Sequence, residues 1–406
     1  MQCNLLSIRY MFLLWATLFA MTGCSDLKDS PWTQSSDQIM SPASSDMSHS
    51  PSTQTTSETS PPNDTIPSTK SQTGTARISL LLPLTGKGSE IGQAMLNAAQ
   101  LAMFDLNASS FFELYPEDTG KGAAQAMNNA ISNGANLILG PVFSTDAKSI
   151  APIALQNNIN ILSFSTDASA AMGNTFVMGF MPQAQVNSVL SYANSVGYKR
   201  IALIAPRDIY GDSVTSTFDT FMQRYAIPNP TIIRYNAGSL PAPADLTPLK
   251  SGVDAVLIAT SATESNKISN MLTAEGYAPT TVKRLGTGLW DQAQAAKLSG
   301  LEGAWYAAAS PRLRTRFENR YLETYGVRPP RLASLAYDAT GLAVVIAKSG
   351  KDFSRTTLTN ASGFAGVDGI FRFMPDGLVD RGLAILEIKS GVSSILLEAP
   401  QRFAKR

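Results

Sequence analysis

Cysteine and histidine are nearly absent from this chain, and neither occurs after residue 50. The 406 residues include two cysteines, Cys3 and Cys24, and one histidine, His49. A Ser–His–Asp or Cys–His catalytic group needs a histidine, and zinc sites in proteins are built mainly from histidine and cysteine ligands. Because residues 51–406 contain neither cysteine nor histidine, they can form neither kind of site. We therefore expect a protein that is not an enzyme and that has no metal and no cofactor.

An excess of charge of one sign is also lacking. Lys and Arg together number 32 and Asp and Glu 31, which gives a formal net charge of +1. Proteins that bind nucleic acids present a clustered basic face, so we predict no nucleic-acid partner. With 44% hydrophobic residues the chain can form a sizeable core, and its length leaves room for more than one domain of about 100–200 residues.

The chain opens with an apolar segment that is too short to span a membrane. Residues 1–23 combine a positive start with an apolar core at 11–21, whereas a membrane-spanning helix needs about 20 apolar residues, so we predict a signal peptide. The motif Met21-Thr22-Gly23-Cys24 resembles a bacterial lipobox and predicts lipidation at Cys24. The alternative is an ordinary cleaved signal with an incidental cysteine. Ser25, where Asp would retain a lipoprotein at the inner membrane, indicates the outer membrane.

A low-complexity segment follows over residues 24–75. Between residues 25 and 75, 29 of the 51 side chains are Ser, Thr or Pro. Such a segment buries too little apolar surface to offset its chain entropy. We predict a disordered tether that spans about 40 Å as a flexible coil and about 160 Å in polyproline extension.

From residue 76 onwards, short apolar strands alternate with amphipathic helices. This alternation is typical of βαβ units and parallel sheets. About ten such units follow one another, which is more than a single sheet usually contains, so two lobes are expected. Near the end of the chain, strands at 363–373, 381–388 and 393–397 follow one another without helices. The fold class predicted is α/β, with two doubly wound parallel-sheet lobes.

The stretch from residue 136 to residue 166 predicts a strand, a helix and a second strand. A Gly-Pro pair ends the first strand, Ser144 or Thr145 is expected to cap the helix, and the second strand ends at Ser165 and Thr166. Open α/β sheets bind ligands at the carboxyl ends of their strands, and helix N-termini favour anions. These hydroxyl groups either contact a ligand or simply cap helices, and the stretch alone is compatible with both.

Seven sequence blocks resemble a known family. They are LLLPLTGKGSEIGQAMLNAAQLA (80–102), LILGPVFS (137–144), RIALIAPRDIYG (200–211), LGTGLWD (285–291), GAWYAA (303–308), FENRYLETYGVRPPRLASLAYDATGLA (317–343) and GVDGIFRFMPDG (366–377). The family is the type I periplasmic-binding-protein family, in the branched-chain amino-acid-receptor (leucine/isoleucine/valine-binding) group. Within that group the chain is similar to penicillin-binding-protein activator lipoproteins.

The resemblance covers residues 76–406 and implies two lobes with a cleft between them. It also implies three crossovers, which are the points where the chain passes from one lobe to the other. Lobe one is expected at 76–180 and 309–362, and lobe two at 181–308 and 363–406.

The resemblance also implies a set of candidate ligand residues. In the receptors of this family, hydroxyl groups at positions such as Ser144 and Thr166 hold the ligand carboxylate, an aromatic residue at the Tyr210 position packs on the ligand, and an acidic residue near Asp291 holds the ammonium group. Trp290 departs from the receptor pattern and would fill the cleft or close the lobes on each other. Candidate ligand-binding residues are Ser144, Ser165, Thr166, Tyr210, Trp290 and Asp291. For the Tyr210 loop the alternative is a turn before a helix, with Asp208 as the N-cap.

These features favour a non-enzymatic, lipid-anchored periplasmic regulator. It would bind and activate a peptidoglycan synthase, a bifunctional penicillin-binding protein. The alternative is a lipoprotein receptor that delivers an amino acid or a small amide to an ABC transporter. A wall hydrolase is the least favoured hypothesis, since it needs a pair of carboxylates among scattered acids. Those acids are Glu264, Asp291, Glu302 and Asp338.

Overall fold

The structure, a computed structural model, describes residues 74–227 and 230–403. The predicted signal peptide, Cys24 and nearly all of the predicted tether lie outside these residues. Within the described residues, no helix combines the length and the hydropathy that a membrane crossing requires.

The first part of the chain alternates strands and helices. Its elements are β1 (Ala76–Leu82), α1 (Ser89–Asp105), β2 (Phe112–Asp118), α2 (Ala123–Ser132), β3 (Leu137–Leu139), α3 (Ser144–Gln156), β4 (Asn160–Ser163) and β5 (Thr175–Val177). The alternation continues with α4 (Pro182–Ser195), β6 (Ile201–Arg207), α5 (Ile209–Arg224), β7 (Thr231–Asn236), β8 (Ala255–Ile258), α6 (Ala262–Ala274), β9 (Lys283–Gly286) and β10 (Trp305–Ala308).

The last part of the chain holds helices first and then strands. Its elements are α7 (Pro311–Tyr325), α8 (Ala333–Lys348), α9 (Arg355–Leu358), β11 (Phe364–Gly366), β12 (Gly369–Phe373), β13 (Val379–Arg381), β14 (Ala384–Lys389) and β15 (Val392–Leu397).

Two large sheets define two lobes. Lobe one is built on a five-stranded sheet of order β2-β1-β3-β4-β5, in which all neighbours are parallel. Lobe two is built on a seven-stranded sheet of order β15-β14-β10-β9-β8-β6-β7, parallel from β10 to β7 and antiparallel at β14 and β15. This confirms the predicted α/β fold with parallel sheets.

The strands are continuous apolar runs because helices cover both faces of each sheet. In lobe one, alternate residues of β1 belong to different layers: Leu80 lies in the core that α1, α7 and α8 also enter, whereas Leu81 lies in the core formed with α2 and α3. Helix α8 is buried at 13 of its 16 positions, which is expected of a helix enclosed by other elements. In lobe two, α4 and α5 cover one face and α6 covers the other.

Strands β11, β12 and β13 form a small antiparallel sheet that belongs to lobe one. Phe364, Phe371 and Phe373 lie in the lobe-one core, and Leu378 forms a bridge with Val177 at the end of β5. The prediction that lobe two resumes at residue 363 is therefore wrong. The third crossover lies at residues 382–383, between β13 and β14, because the small sheet extends the lobe-one sheet before the chain crosses.

The expected cap of α3 at Ser144 or Thr145 is also wrong, and α1 likewise begins without a side-chain cap. Ser89 and Ser144 are the first helical residues, and the N-caps are Gly88 and Phe143, neither of which makes a side-chain capping bond. Gly88 has a φ of 86°, a left-handed conformation that glycine adopts without strain. The backbone has therefore already turned into the helix when it reaches the serine.

Candidate functional site at the junction of the lobes

The loops after β3 and β4 carry three of the predicted ligand residues. Ser144 is half-buried at the start of α3. Ser165 is buried, and its Oγ accepts a hydrogen bond of 3.0 Å from a backbone N–H two residues on, whereas Thr166 is exposed. The loops are joined by a 2.9 Å bond from the N–H of Phe164 to the carbonyl oxygen of Pro141. The structure thus brings these three hydroxyl groups to one edge of the lobe-one sheet.

Tyr210 lies on lobe two, in the first turn of α5. Its hydroxyl forms a 2.7 Å hydrogen bond with Oγ1 of Thr287, in the loop after β9. Burial raises the pKa of Tyr210 well above its ordinary value. Asp208 is the N-cap of α5 and accepts a 2.7 Å bond from the N–H of Gly211, which confirms the capping interpretation. Tyr210 therefore holds two loops of lobe two together.

Trp290 does not line the cleft. Its side chain is fully buried in the core of lobe two, and its Nε1 donates to Oγ of Ser265 at 3.0 Å and to the carbonyl of Thr260 at 3.2 Å. A Cβ added at Gly286 would lie 2.3 Å from ring atoms of Trp290, so the ring depends on that glycine. The expectation that Trp290 fills the cleft or closes the lobes is wrong, because the ring packs between β9 and α6.

Asp291 is engaged by two arginines that enter from lobe one. Its Oδ1 lies 2.9 Å from Nη2 of Arg314, and Nη1 of the same arginine contacts Oδ2. Nε of Arg331 donates to Oδ2 at 3.1 Å. The Asp291 side chain is only 7% exposed. The carboxylate predicted to hold a ligand ammonium is therefore already neutralised by side chains of the chain itself.

The ion pairs continue into lobe one. Nη2 of Arg331 lies 2.9 Å from Oδ1 of Asp368, which is fully buried in the turn between β11 and β12. Nε of Arg314 lies 3.3 Å from Glu318, one turn further along α7. We call Asp291, Arg314, Arg331 and Asp368 the junction network.

The opposite charges of the junction network stabilise one another's ionised forms. Burial opposes ionisation of Asp368, but Arg331 and Arg314 outweigh it and hold the pKa of Asp368 below its usual value. Burial likewise disfavours the charged form of Arg314, yet Asp291 and Asp368 raise its pKa. Buried ions are tolerated in proteins when they are paired in this way.

Two further buried charged residues, Asp338 and Arg381, lie next to the junction network. Asp338 of α8 is fully buried and accepts a 2.7 Å bond from the N–H of Val367, and burial, followed by the charge of Asp368, raises its pKa to about 7. Arg381 donates to the carbonyl of Met178 at 2.8 Å and stacks near Phe180, 5.1 Å from the ring centre. Burial lowers the pKa of Arg381.

The three crossovers meet around these charges. Phe180 precedes the first crossover, and the guanidinium of Arg331 lies 4.0 Å from its ring centre. Arg314 follows the second crossover by one helical turn, and Arg381 immediately precedes the third. The charged cluster thus occupies the hinge between the lobes rather than the open part of the cleft.

Sequence reasoning missed the arginines and Asp368. Arg314 belongs to a run of four arginines, between residues 312 and 320, that is typical of a solvated helix face. One signal was available: Asp338 is the only charged residue between Ala333 and Ala347. An acid in such an apolar helix indicates a buried group that needs partners.

The apolar side of the cleft was not predicted either. Phe143 at the start of α3 is 37% exposed, and Ile209 and Leu289 on the lobe-two loops are 78% and 37% exposed.

Among the described residues no group of three or more His, Cys, Asp or Glu side chains is arranged to hold a metal ion.

Comparisons with solved structures give the same architecture. The chain is similar to a leucine binding protein, LivK, from Thermotoga maritima (23% identity, 79% of this chain and 97% of that chain, TM-score 0.57). It is similar to a putative branched-chain amino acid ABC transporter protein from Rhodospirillum rubrum (20% identity, 79% and 100% coverage, TM-score 0.70). It is also similar to the C-domain of LpoA from Haemophilus influenzae, a regulator of PBP1A (18% identity, 79% and 100% coverage, TM-score 0.61).

Sequence comparison identifies the family. An uncharacterized protein of Rickettsia prowazekii is 21% identical over 147 residues, which cover 36% of this chain and 39% of that protein. The model of the periplasmic binding protein family matches residues 75–393. This match includes both lobes and all three crossovers, so the chain belongs to the periplasmic binding protein family.

Proposed function

We propose that this protein is a non-enzymatic periplasmic regulator that binds and activates a peptidoglycan synthase of the bifunctional penicillin-binding-protein class. The observation that carries the proposal is the state of Asp291. Its carboxylate is paired with Arg314 and Arg331, so the group that the resemblance would assign to a ligand ammonium already contacts the chain's own cations. The likeness to the LpoA C-domain over the whole of that domain supports the same assignment.

The regulator would work by binding alone. A lobe surface, or the arrangement of the two lobes, would favour the active state of the synthase, which is an allosteric coupling between two proteins. Lipidation at Cys24 would attach the protein to the outer membrane, and the segment up to residue 75 would give the folded domain its reach. The acids that a hydrolase would need are engaged otherwise here: Asp291 pairs with arginines, Asp338 is buried, Glu264 accepts from the hydroxyl group of Thr260, and Glu302 accepts from the N–H of Ser390 at 3.0 Å.

Affinity capture tests the proposal. Full-length lipidated protein serves as bait in crosslinked envelope extract, and we expect a bifunctional penicillin-binding protein among the captured proteins. The purified synthase should then polymerise and crosslink lipid II faster when the full-length protein is added. A captured synthase whose rates do not change, together with unchanged wall synthesis after gene deletion, would contradict the proposal.

A solute receptor for an ABC transporter is the second candidate. The similarity to the Rhodospirillum rubrum protein over its full length favours it, as do the hydroxyl groups of Ser144, Ser165 and Thr166 at one sheet edge. Calorimetry should compare leucine with 4-methylpentanoate, which lacks the amino group. Tight binding of leucine, weakened by Ser144→Ala, would establish a receptor. Because Asp291 is paired, the regulator proposal expects no preference for the amino acid.

A further inference from the structure

The junction network joins the two lobes directly. Asp291 belongs to lobe two, in the loop after β9. Arg314 is carried by α7, whose Phe317 and Tyr321 pack in the core of lobe one. Asp368 is in the small sheet of lobe one. Every ion pair of Asp291 therefore crosses from one lobe to the other.

The network lies at the boundary about which the lobes can rotate, and its ion pairs to Asp291 join the two sides of that boundary. The lobes can rotate relative to each other only about the three crossovers, and Arg331 lies against Phe180 beside the first of them. A rotation carries Asp291 with lobe two while Arg314 and Arg331 stay with lobe one. Charge-assisted hydrogen bonds are short, about 2.7–2.9 Å, and directional, so a shift of a few Å at Asp291 removes them.

We infer that the junction network is a latch: its ion pairs to Asp291 hold the two lobes in the arrangement described, without a bound solute. In a solute receptor the ligand bridges the lobes, whereas here Arg314 and Arg331 supply the bridge. This inference does not depend on which partner the protein has. Loss of the latch would let the lobes adopt a second arrangement about the same crossovers.

Asp291→Asn is a clean probe of the latch. The substitution keeps the side-chain shape and removes the negative charge. It leaves neither arginine without a carboxylate, because Arg314 retains Glu318 at 3.3 Å and Arg331 retains Asp368 at 2.9 Å. Asp254→Asn is a matched control, since Arg200 and Asp254 are 2.7 Å apart but lie within lobe two.

The arrangement of the lobes can be measured with paired spin labels. The described residues contain no cysteine, so Gln125→Cys on α2 and Gln223→Cys on α5 place one exposed label on each lobe of the full-length chain. Cys3 and Cys24 are replaced by Ser in this background. We expect one narrow distance distribution for the parent chain and for Asp254→Asn, and a second or shifted distribution for Asp291→Asn.

Two results would overturn the latch. An unchanged distribution in Asp291→Asn would show that the crossovers and packing fix the lobes alone, and an equal change in Asp254→Asn would show a non-specific effect of charge. If Asp291→Asn does not fold, as judged by circular dichroism, the double variant Arg314→Gln with Arg331→Gln decides, because it removes every interlobe ion pair of Asp291. An unchanged distribution in that double variant would then contradict the inference.

Discussion

The cleft and the hinge behind it use polar groups in different ways. The cleft presents hydroxyl groups and exposed apolar side chains such as Ile209 and Phe143. The hinge holds three acids and three arginines, all of them buried or partly buried: Asp291, Asp338, Asp368, Arg314, Arg331 and Arg381. The charged side chains of the hinge pair with one another between the lobes, whereas the cleft presents hydroxyl groups and apolar side chains. The following predictions test that difference, from the largest expected effect to the smallest.

Asp368→Asn should have the largest effect on stability. Asp368 is fully buried, and its loss leaves Arg331 with Asp291 alone. Removing one partner of a buried ion pair typically costs about 3–5 kcal/mol. Urea unfolding of the full-length chain should show this loss. Asp254→Asn is the control, because Arg200 in that pair is 63% exposed, and it should lower the free energy of unfolding by no more than about 1 kcal/mol. Equal losses of unfolding free energy in the two variants would contradict the distinction between hinge and surface.

The pH dependence of stability should carry a signature of Asp338. Its pKa is raised from 3.8 to about 7 in the folded chain, so between these values the folded protein binds a proton that the unfolded chain releases. The contribution of Asp338 to stability is full below pH 4 and is lost as the pH rises to 7, with a slope of at most about 1.4 kcal/mol per pH unit.

Asp338→Asn should remove that slope, because the amide does not titrate. Unfolding free energies at several pH values from 4 to 8 measure it. Asp167, whose pKa is lowered to about 2, loses its contribution only as the pH falls below about 4, so it does not contribute in this window. The same slope in the variant and the parent would contradict the assignment to Asp338.

Gly286→Ala should destabilise lobe two by about 1–3 kcal/mol, the usual cost of overpacking a core. The added methyl group would lie 2.3 Å from the Trp290 ring. Combining it with Trp290→Leu makes room for the methyl group, so the double variant should lose less than the sum of the two single losses. Additive losses in urea unfolding would show that the ring and the glycine are independent.

Tyr210→Phe should have the smallest effect. It removes the 2.7 Å hydrogen bond to Thr287 and leaves the ring in place, so we expect a loss of about 0.5–1.5 kcal/mol. Thermal unfolding measures it. The matched variant Thr287→Val removes the other partner, and a double variant should be no worse than either single variant if the bond is the cause.

The sequence predicted the elements better than their partners. The α/β alternation and the Asp208 cap depend on neighbours in the chain, and both are present. The lobe to which the small sheet of β11, β12 and β13 belongs depends on contacts such as the bridge between Leu378 and Val177 of β5, which are far apart in sequence. The junction network depends on residues as distant as Asp291 and Asp368. The four arginines between residues 312 and 320 give the same sequence pattern whether all of them face solvent or one of them, Arg314, is partly buried at the hinge.

The three crossovers also determine how the chain acquires its structure. Helix α1 packs against α7 and α8 more than 200 residues later, as in the bond between Asn97 and Tyr321, which are 224 positions apart. Lobe two receives β14 and β15 only after lobe one has received β13. Neither core is complete until strands β13 to β15 have been synthesised. Contacts of such long sequence separation slow folding, so we expect this domain to fold as a single late event rather than lobe by lobe.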